Sequence, residues 1–327
     1  PKTTVILSLR GADPFLSDCL LALLNQNYPA YSVHIIIDSR EDEAWDIVDK
    51  TLYNFGATIP VKVSALEVKR PTCSLKCSAL VQAIADLDHD CEVVAFVDAD
   101  TLTHSTWLRE LVSPFSDPAV GATTGNRWYV PDNQLWGSLV RYLGNIPTVV
   151  HMCIHNVPWG GTLAIRTQAL RRSQLIEQWS QGLVEDVPVH RAMQEQGLRV
   201  QFIPSLIMVN RAQCSLPNYL LWIKRQLLCV RLYHPSWILV VVHGIVTALV
   251  PLLALGLLLV ALFFHQWEAV AWIAGGLFCS LVGQALAVSI LEQGVGRVVR
   301  KRREVMPEHS AMTMLQTLVA IPMTQLI

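Results

Sequence analysis

The sequence predicts an α/β domain on a mostly parallel sheet, followed by C-terminal transmembrane helices. Three observations carry this. Short apolar runs alternate with helical patterns through residue 235, acids stand where several of those runs end, and residues 236–327 are dominated by Leu, Val, Ala and Ile. Strand–helix alternation implies right-handed crossovers and parallel strands. The 327 residues are 52% hydrophobic and only 16% charged, with mean hydropathy +0.38. Soluble domains carry about 25% charge, and the deficit lies in the C-terminal part. The composition shift sets an expected boundary near Pro235, giving domains 1–235 and 236–327.

The elements follow in order. "TTVILSLRG" is an apolar run closed by Gly11, the expected first strand. "PFLSDCLLALLNQNYP" has helical spacing at Leu16, Cys19, Leu20 and Leu23 and stops before Pro29. "YSVHIIIDSRED" predicts a second strand ending in Asp38, "EAWDIVDKTLYNF" a helix, "PVKVSAL" a third strand and "SLKCSALVQAIADL" a helix. "VVAFVDADTL" then gives a strand apolar on both faces that ends in Asp98-Ala99-Asp100. Arg10, Asp38, Asp98 and Asp100 thus fall at carboxyl ends of strands, where ligands of parallel sheets bind.

Two readings of those acids compete. Asp100 or Thr101 could cap a following helix. Alternatively, two carboxylates at the sheet edge make a hard-oxygen site for a divalent cation carrying a phosphate. Neither a GxGxxG after the first strand nor a GxxxxGK[ST] occurs, so a Gly-rich phosphate loop is unsupported. Farther on, Gly160 and Gly161 precede a short strand and serve either a turn or close approach to a ligand. Glu185-Asp186 head a helix, where acids favour the dipole. "GNRWYVP" (125–131) reads as a loop in which Trp128 either stacks on a ligand or packs. "HMCIH" holds His151 and His155; a pocket-lining His155 is favoured over a metal pair.

Residues 237–264 contain no charge and exceed the ~20 residues that cross a bilayer. A second apolar stretch covers 269–291, and a basic loop with Arg297, Arg300, Lys301, Arg302 and Arg303 follows. By the positive-inside rule that loop is cytoplasmic, and two crossings return the chain to its starting side. This predicts an integral membrane protein whose residues 1–235 face the cytoplasm. Residues from Ala311 onward read as an interfacial helix or a third span. Net charge is −1, so no global field recruits nucleic acid. The eight cysteines are scattered, and the Cys73–Cys77 gap is wrong for a zinc knuckle, which suits reduced thiols. The chain opens on Pro1 and closes inside an apolar run, as an excerpt of a longer protein would.

Taken in order, "ILSLRG", "CLLALLNQNYP", "IIIDSRED", "SLKCSAL", "FVDADTL", "VPWGGTLAIR" and "VEDVPVHRAMQEQGLRVQFIP" resemble family 2 glycosyltransferases of GT-A fold. The nearest likeness is to the ceramide glucosyltransferase-like branch, with its hopanoid-directed bacterial relatives. It implies a UDP-sugar donor, a lipid acceptor and Mg²⁺ or Mn²⁺. It also implies roles for matching positions. Asp38 would sit by the uracil or ribose, Lys76 near the diphosphate, Asp98 by ribose or diphosphate, and Asp100 on the metal. Asp186 would be the general base with Glu185 beside it, and Arg10 would line the donor site. His155, Gly160, Gly161 and Trp128 would lie on the acceptor side. The family's (Q/R)xxRW motif has no exact copy. Trp222-x-x-Arg225-Gln226 and Gln226 to Arg231-Leu232-Tyr233 compete for its place, the second slightly preferred because Tyr233 keeps the aromatic. Chemistry asks for the same groups: an alcohol needs a carboxylate to take its proton, and a departing diphosphate needs cations. A processive polysaccharide synthase is the alternative enzyme, and a non-catalytic membrane scaffold the alternative from another class.

Overall fold

The computed structural model describes residues 1–56, 59–131, 135–302, 304 and 311–326. In chain order the elements are β1 (Thr3–Leu9), α1 (Leu16–Leu24), β2 (Tyr31–Ile37), α2 (Ala44–Phe55), β3 (Val61–Ala65), α3 (Leu75–Ala85), β4 (Val93–Val97), α4 (Trp107–Val112) and β5 (Val120–Tyr129). They continue as α5 (Trp136–His155), β6 (Thr162–Arg166), α6 (Thr167–Arg172), α7 (Leu175–Ser180), α8 (Val187–Gln194), β7 (Arg199–Asn210) and α9 (Leu216–Tyr233). The chain closes with α10 (Trp237–Phe263), α11 (Trp267–Lys301) and α12 (Ala311–Leu326).

The chain divides into two compact units. The first comprises Pro1–Arg127, Met152–Val209 and Leu232–His234. Its sheet runs β3-β2-β1-β4-β6-β5-β7. Strands β1 to β4 pair in parallel, whereas β6 is antiparallel to both β4 and β5. The order therefore reverses between β1 and β4, which opens a crevice beyond their carboxyl ends. Every residue of β4 is buried, as expected of a strand covered by helices on both faces. One core cluster lies against α1 and α4 with Leu16, Leu20, Leu23 and Trp107; the other lies against α3 and α7 with Leu80, Ile84 and Trp179. The sheet is thus the expected mostly parallel one, with β6 turned round.

Two expectations are corrected in this unit and at its margin. Helix α4 begins at Trp107 with Thr106 at its N-cap, so neither Asp100 nor Thr101 caps it. Residues Gly125–Tyr129 belong to β5 rather than to a loop. The strand survives its polar Thr123, Thr124 and Asn126 because all three are buried and hydrogen-bonded, Thr123 to the Leu111 carbonyl at 2.7 Å. Gly125 suits that crowding: a Cβ there would stand 2.4 Å from the Leu206 carbonyl oxygen.

The second unit comprises Trp128–His151, Asn210–Arg231 and Pro235–Ile327. Segments of α5 and α9 therefore group with the apolar helices. Helices α10 and α11 are long and apolar enough to cross a membrane, with window hydropathies of 2.8 and 1.8, and their apolar windows are almost wholly uncovered by protein. Pro251 lies inside α10 and Pro322 inside α12, which packs on both α10 and α11. The expected basic loop is corrected as well. Helix α11 runs on through Glu292–Lys301 despite Gly294 and Gly296, with no proline to break it and with Glu, Gln, Arg and Lys as good helix formers. Its last turn carries Arg300 and Lys301, where cations favour the helix dipole. Arg303 lies outside the described residues.

Candidate active site

The crevice over the β1/β4 switch point holds a cavity of about 460 Å³ lined by Arg10, Asp38, Lys76, Asp98, Ala99 and apolar neighbours such as Leu66. That is the size of a small-ligand site. Asp38 follows β2 and meets Arg10 at 3.8 Å and Lys69 at 3.5 Å. Its Oδ1 is buried and has no hydrogen-bond partner among the described residues. A donor group on a ligand would satisfy it.

Asp98 and Asp100 sit in the turn after β4, where the Thr101 N–H donates to the Asp98 carbonyl at 3.0 Å. Asp100 is exposed. Its carboxyl is raised above the ordinary value, first by desolvation and then by the charge of Asp98; Arg127 pulls it back and Asp13 adds to the rise. A second cation ends this excess of negative charge on the other side. The Lys76 ammonium, in the first turn of α3, is hydrogen-bonded to Asp98 and stands 2.5 Å from Glu185 Oε1. Burial alone would lower its pKa, but the two carboxylates and their hydrogen bonds outweigh burial and hold it well above the ordinary value.

Lys76 lies there because Ser74 caps α3, accepting from the Cys77 N–H at 3.1 Å, and because the Ser74 N–H donates to the Gly182 carbonyl at 3.0 Å. Glu185 is buried, 6% exposed, and its carbonyl accepts from Trp179 Nε1 at 2.8 Å. Trp179 in turn meets Phe96 of β4 edge-on at 5.7 Å. The acid pair is therefore tied to the same strand that carries Asp98. Asp186 is the N-cap of α8: Oδ1 accepts from the Val187 N–H at 2.7 Å and Oδ2 from the Gly160 N–H at 2.8 Å. Desolvation, then the Glu185 charge, push its carboxyl up to about 7, against the lowering by Gly160, Lys76 and Val187. A base titrating near neutrality suits proton abstraction at working pH.

Gly160 is crowded by the protein's own side chains, which bears on neither a turn nor a ligand. A Cβ at this position would fall 1.9 Å from Glu185 Oε1 and 3.2 Å from Lys76 Nζ. His155 ends α5 within electrostatic reach of His190 and His234, whose rings lie 4.9 Å apart. Trp128 is 2% exposed and meets Tyr142 edge-on at 6.2 Å, so its indole packs instead of facing a sugar. Gln226, Arg225 and Arg231 all lie on α9, in the second unit. Gln226 and Arg231 are five residues apart and point about 140° from each other; Arg231 lies over the Trp237 ring at 5.9 Å. Tyr233 belongs to the first unit, and its hydroxyl accepts from the Leu183 N–H at 3.1 Å.

Sequence reasoning missed Asp13, Lys69 and Arg127. Asp13 and Lys69 follow β1 and β3 at the same sheet edge, the rule that singled out Arg10 and Asp38, and applying it to every strand would have found them. Arg127 had no such signal; it lies over Trp159 at 5.2 Å.

Sheet order, switch-point crevice and acids at its rim define a GT-A glycosyltransferase. The solved mannosyltransferase of Pyrobaculum calidifontis, in complex with GDP-Man and Mn²⁺, shares the fold at TM-score 0.51 and 17% identity over 100% of this chain and 87% of its own. The chain belongs to glycosyl transferase family 21, whose model matches residues 1–323. A ceramide glucosyltransferase of Pyricularia oryzae is 38% identical over 65 residues. That stretch is 19% of this chain and 13% of the relative, so the chain matches only a small part of that protein's length.

Proposed function

We propose that the protein moves a sugar, with inversion, from a UDP-sugar to the hydroxyl of a membrane lipid. Glucose is the sugar suggested by the ceramide glucosyltransferase likeness. The observation that carries the reading is the meeting of donor-side Asp98 and base-side Glu185 on one lysine, with Asp186 next in the chain.

In this reading the donor's nucleotide enters the 460 Å³ cavity, where Asp38 Oδ1 accepts from the uracil or ribose and Arg10 approaches the phosphates. Lys76 meets the diphosphate. The acceptor hydroxyl approaches Asp186, which takes its proton as the oxygen–anomeric carbon bond forms. The bond from that carbon to the β-phosphate breaks, and the nucleoside diphosphate leaves with the electron pair. One base and no enzyme nucleophile means inversion, by the same logic that separates inverting from retaining glycosidases. Among the described residues no cluster of three ligating side chains stands ready for a metal. The exposed Asp100 carboxylate beside Asp98 nonetheless fits Mg²⁺ or Mn²⁺, which bind through one or two acids and the substrate's phosphates. Such an ion, held by Asp100, would supply charge neutralisation at the leaving group.

The apolar helices α10 and α11 support a bilayer anchor and a lipid acceptor. We place residues 1–235 on the cytoplasmic side, following the positive charge of Arg297–Arg302 after the second span. The test offers radiolabelled UDP-sugars and total lipid to the full chain. Label in a chloroform-soluble glycolipid is expected; label in a high-mass water-soluble polymer, or none with any donor, overturns the reading.

A further inference from the structure

We infer that Glu185 is a positioning residue that shares the Lys76 ammonium with Asp98, and that transfer of this ammonium to the donor diphosphate couples donor binding to the readiness of Asp186. The inference rests on the proposed sugar transfer and adds to it a reason for the order of events.

Glu185 is too enclosed to meet an acceptor itself. Its side chain is 8% exposed, its backbone is fixed by Trp179, and Oε1 is in contact with Lys76. Gly160 leaves the room for that contact, and the same glycine donates its N–H to Asp186. One short segment therefore aligns both acids. Lys76 is more open, at 28%, and Asp98 matches it, so the ammonium can turn toward the cavity while Glu185 cannot. A diphosphate entering the cavity competes for the ammonium with oxygens of higher charge. When it wins, Glu185 keeps its place with its charge no longer matched, a peptide bond away from Asp186.

Among the described residues, the groups that act on Asp186 are Glu185 on its own segment and Lys76 on α3, with Asp98 behind Lys76 at the end of β4; the Gly160 and Val187 N–H groups also act on it. Glu185 raises the Asp186 carboxyl and Lys76 lowers it. Loss of Lys76 from the pair thus strengthens the base at the moment the sugar is in place. Before that moment Lys76 weakens it.

The experiment is the pH dependence of transfer by the full chain in detergent, with UDP-glucose, Mn²⁺ and total lipid. Asp186 must be ionised to act, so activity falls on the acid side of its titration. Removing the Glu185 charge in Glu185→Gln is expected to move that acid limb down by about one pH unit, and Lys76→Met to move it up by a similar amount, as a nearby charge does. Lys76→Met also raises the donor KM roughly 10-fold, the worth of one lost charged contact, whereas Glu185→Asp restores the limb. A merely structural Glu185 would lower kcat and leave the limb in place. Unmoved limbs, or limbs that move the same way in both variants, overturn the inference. If either variant fails to fold, the wild type still decides: the limb of kcat, set by the loaded enzyme, must lie above that of kcat/KM for the donor, set by the free enzyme. Equal limbs overturn the inference and leave sugar transfer standing. A wild type that transfers no sugar from any donor ends both.

Discussion

The two acidic regions of the site are built on opposite plans. Asp98 and Asp100 hang in a turn beyond a strand, and Asp100 is exposed, with a hydrogen bond from its own backbone as the last and smallest of the influences named on its carboxyl. Glu185 and Asp186 head a helix, and both Asp186 oxygens already accept a backbone N–H. An open carboxylate retains lone pairs for a cation. A clasped one has a fixed direction, which proton transfer from a bound hydroxyl requires. The contrast teaches that acids of equal charge are sorted to different tasks by their backbone surroundings.

Chelation strikes the open region alone and has the largest expected effect: EDTA abolishes turnover, Mg²⁺ or Mn²⁺ restores it, and the thermal midpoint stays where it was. Full activity in chelator would break the contrast. Asp186→Asn comes next, lowering kcat by about 10²–10⁴-fold with the donor KM nearly unchanged, measured by UDP release. A larger rise in KM than fall in kcat would place Asp186 on the donor side. Third, wild-type activity should decline on acidification through an Asp186 limb far above the range of an ordinary aspartate, since burial and Glu185 raise it; a limb near pH 4, about the unperturbed value, would remove Asp186 as the base. Gly160→Ala sharpens the picture of the clasped region: the added methyl meets Glu185, and overpacking costs about 1–3 kcal/mol, read by denaturant unfolding together with a loss of kcat. Smallest is Trp179→Phe, which leaves the buried Glu185 carbonyl without its donor at about 1–3 kcal/mol, read in the same unfolding assay.

How much of this was legible in advance follows the same contrast. Strands β1, β2 and β4 announce themselves as apolar runs closed by Gly or Asp within two residues, and their acids were found by asking what stands at a carboxyl end. The α10–α11 hairpin was legible from length and apolarity alone. Strand β5 was not, because its polar residues are satisfied by partners distant in sequence, such as Thr124 by the Thr162 carbonyl. The end of α11 was hidden because loss of apolarity was taken for loss of helix. Least legible was the Lys76–Glu185 contact. Its two residues are far apart in the chain and meet only because α3 and the head of α8 converge over β4, and no local spacing encodes that.

The continuation of α11 past its apolar stretch has a consequence for how the protein answers to salt. Arg297, Arg300 and Lys301 are exposed at i, i+3 and i+4, so three like charges crowd one stripe of a helix rather than spreading over a coil. Each such pair opposes helix formation by about 0.2–0.5 kcal/mol. Added electrolyte, or a surface rich in phosphate headgroups, relieves that repulsion. Salt, however, also screens the favourable cation–dipole contact of Arg300 and Lys301, whereas an anionic surface offsets the repulsion and leaves the dipole contact in place, so the final turns of α11 should tighten on acidic vesicles more than in added electrolyte.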